Sequence, residues 1–224
     1  MAIRDEDSAT AELRRDAVFH GAALLADKDT GHLASAVTSV VADLKSAADA
    51  AEDAETKRVV ALARLARADF ELDESLRQFE LDLQKATNKD RKHPLFRAAL
   101  PNGLSAVVSL RGAEQHEEVE RISKVLEKRS AELAKAYSKE LLRLSKAAVD
   151  AETAYVKAST AASAAFGEEV LARTSLVRQL QKNEGALLSL FPGQRRRVRS
   201  FYRPTRRRGA APDDGTPETE KVDG

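Results

Sequence analysis

The chain contains no cysteine and no tryptophan. Without cysteine it has no disulfide, thiolate zinc site, iron–sulfur ligation or cysteine nucleophile, and nothing in it requires an oxidising compartment. Aromatic residues make up only 4% of the sequence, which argues against a thick globular core built on rings. Glycine (10) and proline (6) are scarce and clustered, so long stretches lack helix breakers. No apolar run approaches the length of a bilayer span. The segment Met1 to Asp7 is charged and lacks the apolar core of a secretory signal. A cytoplasmic protein is therefore expected, with the membrane an unlikely partner.

What is present is alanine, leucine and charge. Hydrophobic residues reach 42%, many of them alanine, and charged residues 33%. Alanine is the best helix former and adds little volume, so an Ala-rich interior implies closely approached helices. The net charge of +1 hides a segregation. Residues 195–208 hold eight arginines and no acid. Residues 209–224 then hold Asp213, Asp214, Glu218, Glu220 and Asp223 against Lys221.

Periodicity predicts an all-α fold. A first helix is expected from about Ser8 to Asp27, with Leu13, Ala17, Gly21 and Leu24 on one face. The second is the strongest signal, from about residue 33 to 92. A three-four spacing runs Val37, Val41, Leu44, Ala48, Ala51, Glu55, Arg58, Leu62, Leu65, Asp69, Leu72, Leu76, Phe79, Leu83. Such a period implies a supercoiled pair or bundle. A flanking stripe of Leu33, Val40, Ala47, Ala54, Ala61 and Ala68 favours three or four packed helices over a bare pair. Pro94 and Pro101-Asn102-Gly103 mark a connection over 93–113. A third helix is expected over about 114–165, with a stutter at Leu133, Tyr137 and Leu141 that should unwind it locally. Phe166-Gly167 is read as a bend or stop, followed by a further helical segment to about Asn183.

These elements predict an elongated antiparallel hairpin or bundle of coiled-coil-like helices over 1–193, turning near Asn102. In that register Arg58 would face Asp150 and Glu55 would face Lys146. From Gln194 to Gly224 the composition predicts disorder, because arginine repulsion and three prolines leave nothing to bury.

Enzymatic signals are weak. His20, His32, His93 and His116 are scattered. His116-Glu117-Glu118 has no second histidine four residues after the first, and no pair of Glu-x-x-His motifs exists for a di-iron bundle. Phosphate-binding glycine loops and a Gly-x-Ser-x-Gly nucleophile motif are missing too. No catalytic residue, metal or cofactor is expected.

Two candidate contact sites stand out. The first is Arg195, Arg196, Arg197, Arg199, Arg203, Arg206, Arg207 and Arg208 with Phe201 and Tyr202 between them. Guanidinium forks match phosphates and the two rings would stack on unpaired bases, so this tract is a candidate polyanion site. Its bland alternative is a cover that pairs with acidic faces of the chain's own body. The second is an apolar tip of Phe96, Leu100, Leu104, Val107, Val108 and Leu110, ringed by Arg91, Lys92, Arg97 and Arg111. It would dock a partner, or fold back to plug the bundle end. The expected function is a non-catalytic scaffold or adaptor acting through protein–protein contacts or self-association. The alternative is a nucleic-acid-binding protein anchored by the arginine tract.

Overall fold

The computed structural model describes residues 3–204. Among them there is helix and loop but no strand. The elements are α1 (Thr10–Ala26), a 3-10 turn (Gly31–Leu33), α2 (Ala34–Ala86), α3 (Pro94–Ala99), α4 (Leu104–Val108), α5 (Gly112–Arg129), α6 (Ala131–Leu133), a π-turn (Ala134–Ser138), α7 (Lys139–Leu190) and α8 (Arg195–Ser200). The helix α2 has 53 residues and α7 has 52. No described helix is long and apolar enough to cross a membrane.

The described residues divide into two compact units, 3–44 with 172–204, and 45–171. In the first, α1 and the outer parts of α2 and α7 enclose Leu13, Ala17, Leu24, Val37, Leu44, Leu176, Leu180 and Leu187. Phe191, Val198 and Phe201 complete that core.

In the second unit α2 and α7 run antiparallel, with Asp82 bonded to Tyr137 and Arg58 to the Tyr155 hydroxyl. The expected seam register is wrong. Glu55 pairs with Arg58 on its own helix at 2.6 Å, and Lys146 with Asp150 on its own at 3.1 Å. The cause is the chain between the long helices, which makes no simple turn. Instead α5 is inserted as a third helix, and the reversal falls at Ser130. That residue caps the next helix with its hydroxyl, accepting from the Leu133 amide. The expected helix over 114–165 is therefore broken at Ser130 into α5 and a run of α6, the π-turn and α7, and α7 continues through Gly167 to Leu190. One glycine costs a helix only about 1 kcal/mol, too little to stop one this long. The stutter is where the wider π-turn sits. α2 ends at Ala86 rather than near Lys92, because Asn88 and Lys89 turn left-handed at φ 53° and 60°.

The connection 93–113 folds back on this unit. Pro94 opens α3, and the His93 ring nitrogen accepts from the Leu95 amide. Phe96, Leu100 and Val107 are buried with Leu72, Leu76, Phe79, Leu83, Ile122 and Leu126. Arg121 of α5 donates to the carbonyls of Ala98 and Ala99 at 2.7 Å, satisfying the end of α3. Gly112 opens α5 at φ 54°, where a β-carbon would meet the Glu152 carboxylate.

Candidate functional site

The arginine tract divides into three groups. Residues 194–204 are folded, against the expectation of disorder from Gln194 onward. Val198 and Phe201 lie three residues apart on α8 and its cap, and both are buried in the first unit's core. Phe201 packs parallel to Phe191 with ring centroids 6.1 Å apart. Apolar anchoring beats charge repulsion here because acids from α1 and the loop after it neutralise two of the arginines, Arg197 and Arg203. Arg197 pairs with Asp27 at 2.8 Å and Asp29 at 3.4 Å, and lies over the Phe191 ring at 3.8 Å. Its guanidinium holds the Asp27 carboxyl below the usual carboxylate range. Arg203 pairs with Asp16 at 3.3 Å, which Arg4 also bonds at 2.8 Å.

The tract is also fixed through its backbone. His20 of α1 is fully buried. Its Nδ1 lies 2.9 Å from the Phe201 carbonyl, which makes Nδ1 the donor. Nε2 then accepts from the Asn183 side-chain amide at 3.1 Å, and the Asn183 oxygen accepts from Gln179 at 2.8 Å. This chain of bonds requires neutral imidazole, and burial lowers the His20 pKa accordingly. Tyr202 stacks on His20 at 4.4 Å and donates its hydroxyl to the Leu180 carbonyl. Phe201 and Tyr202 are thus committed to the fold, and neither ring is free for the expected stacking on nucleic-acid bases. Arg195, Arg196 and Arg199 point outward from α8, exposed and with no ion pair among the described residues. Arg206, Arg207 and Arg208 lie outside the described residues.

The apolar tip is closed. Phe96, Leu100 and Val107 are buried, Leu104 and Val108 pack against the same core, and Leu110 is half-buried. Of the two expected outcomes for the tip the structure has the plug and not the docking knob, held by Arg121 and by Gln115, which donates to the Val107 carbonyl.

A surface that periodicity alone did not single out lies in the middle of α2. No side chain of α2 between Leu44 and Leu72 is buried, and on the facing stretch of α7 between Ala148 and Leu176 only Ala162 is. Ala51, Ala54, Arg58, Ala61, Leu65 and Ala68 are half-buried and mark the side of α2 toward α7. By helical spacing the opposite side carries Asp49, Glu52, Asp53, Thr56, Val59, Val60, Ala63, Arg67 and Phe70, every one exposed. Val59 is 51% exposed, Val60 46% and Phe70 53%. On α7 Val156 is 57% exposed. A groove of about 720 Å³, lined by Ala48, Glu52, Arg58, Ser159 and Ala162, opens between the helices. A second, of about 480 Å³, is lined by Lys57, Val60, Arg64 and Ala154.

The charges of this stretch are sorted along it. Residues 45–55 hold Asp49, Glu52, Asp53 and Glu55 against Lys45, whereas residues 56–67 hold Lys57, Arg58, Arg64 and Arg67 and no acid. That split was the sequence signal for this surface. It is masked when charge is summed over the whole chain. Among the described residues no group of three or more histidines and acids is arranged to hold a metal. Comparison with protein families, with curated proteins and with solved structures finds no match for the chain.

Proposed function

We propose that this protein is a non-catalytic scaffold that binds a protein partner through the middle of α2. The observation that carries the reading is the exposed side of residues 49–70, with Val59, Val60 and Phe70 at its centre and end. A paired helix with an alanine seam buries little, and a partner helix laid on Val59 and Phe70 removes apolar surface that the hairpin leaves in water. The chain's lack of cysteine suits a reducing compartment, and we place it in the cytoplasm. Crosslinking with mass spectrometry in native cells tests this, because Lys45 and Lys57 flank the surface. Crosslinks from these lysines to another polypeptide, lost in Val59→Asp/Val60→Asp, are the expected result. Inter-chain crosslinks confined to other regions would contradict it.

A second reading, polyanion binding, is favoured by one observation: Arg195, Arg196 and Arg199 form an exposed, unpaired row on α8. Contact would be electrostatic, to phosphates rather than bases. Replacing the three with glutamine should reduce retention on nucleic acid and flatten its salt dependence. Equal retention by the variant and the wild type at low and high salt would count against this reading.

A further inference from the structure

We propose that the partner at the middle of α2 is a second copy of this chain, docked antiparallel across Val60. The inference rests on the reading of this surface as a protein-binding face, and adds the identity of the occupant.

Self-complementarity carries the argument. An isologous contact places the same patch on both copies, so each feature must meet its counterpart when the patch is turned end for end. The exposed side of α2 meets that demand. Acids occupy one end at Asp49, Glu52 and Asp53, Arg67 the other with Arg64 at the groove edge beside it, and Val59 and Val60 the centre. Turning a second α2 end for end about Val60 sets Asp53 of one copy opposite Arg67 of the other, with Glu52 beside that arginine and within about one helical turn of Arg64. It does so twice, once on each side of the axis. Val60 then meets its own counterpart and the short Ala61 meets Val59, so small side chains near the axis let the backbones approach. A parallel arrangement would instead stack acid on acid and arginine on arginine, which disfavours it.

The charges are available for this. Asp49, Glu52, Asp53 and Arg64 have no ion-pair partner among the described residues, and Arg67 holds an exposed pair with Glu71 at 2.6 Å and lies over the Phe70 ring at 5.5 Å. Such an exposed pair on one helix is weak and easily exchanged. The contact is one helix wide and, over residues 49–70, about 33 Å long. That lies at the small end of specific interfaces, so the dimer is concentration-dependent and salt-sensitive rather than obligate.

The test uses the full chain in sedimentation velocity at increasing concentration. The mass should rise toward twice that of the chain. Glu52→Arg/Asp53→Arg should weaken association at least tenfold, and Arg64→Asp/Arg67→Asp should do the same. The four changes together should restore it, because complementarity is regained with the ends exchanged. The double variants should keep wild-type helicity by circular dichroism. In this cysteine-free chain, Val60→Cys should form an inter-chain disulfide under mild oxidation, since that position sits on the axis. Ser46→Cys, far from the axis, should not. A monomer at all concentrations, double variants that associate like wild type, or a failed restoration would overturn the homodimer. The scaffold reading stands or falls separately: crosslinks from Lys57 to a different polypeptide would sustain it even as the homodimer fell.

Discussion

Residues 45–67 and 68–83 of α2 belong to one helix and one three-four seam, yet they meet opposite fates. In the upper stretch the seam begins at half-buried Asp69 and continues through Leu72, Leu76, Phe79 and Leu83, these four fully buried against α5, α7 and the folded-back connection. In the lower stretch they are Ala48, Ala51, Glu55, Arg58, Leu62 and Leu65, and none is buried. Periodicity is the same in both; side-chain volume and the number of neighbouring helices differ. Where a third helix closes over bulky side chains, the chain satisfies its own apolar surface. Where two helices meet through alanine, the outer face stays open and sorted by charge, as an interface would be.

The contrast is best broken where burial is deepest. Phe79→Ala removes a fully buried ring that meets Tyr137 edge-on at 5.5 Å, and should cost about 3–5 kcal/mol in urea unfolding. A loss below about 1 kcal/mol would mean the upper core is not what holds this unit. Next is Gly112→Ala, which forces a left-handed conformation on alanine and displaces Glu152. It should cost about 1–2 kcal/mol by the same measurement.

The first unit gives a third test, through pH. His20 is held neutral, so its folded pKa lies below 6.5 and the unfolded chain takes up the proton more readily. Stability is then complete above about pH 6.5 and declines as pH falls through that value. Thermal unfolding of wild type should shift downward on acidification, and the His20→Gln variant should lose that component. Identical pH profiles would show that His20 is not the responsible group. The smallest effect belongs to the lower stretch: Val59→Asp/Val60→Asp should leave folding stability within about 0.5 kcal/mol, because neither side chain is buried. A cost comparable to that of Phe79→Ala would show the stretch to be core.

These contrasts also separate what could be read from the sequence from what could not. The helical class and the start of α2 follow from the spacing of Val37 to Leu83, which a helix must place on one face. The end of α1 is legible in the same way. The break at Ser130 is harder, because the apolar pattern runs through it. Its signal is local, Lys128-Arg129 closing one helix and Ser130 with Glu132 opening the next. The register fails with it, since an inserted third helix shifts every pairing downstream. Charge alone misreads the arginine tract. Val198 and Phe201, spaced three apart among the arginines, are the apolar stripe that folds it. Acids distant in sequence, Asp16, Asp27 and Asp29, decide which arginines are neutralised, and no local pattern reveals that pairing.

Hydrogen exchange along α2, followed by mass spectrometry at low and high protein concentration, tests the contrast most directly. At low concentration amides of residues 45–67 should exchange much faster than those of Leu72 to Leu83, and the gap should narrow as concentration rises. Uniform protection along α2 at every concentration would contradict the account, since the lower stretch would then be as closed as the upper without any partner.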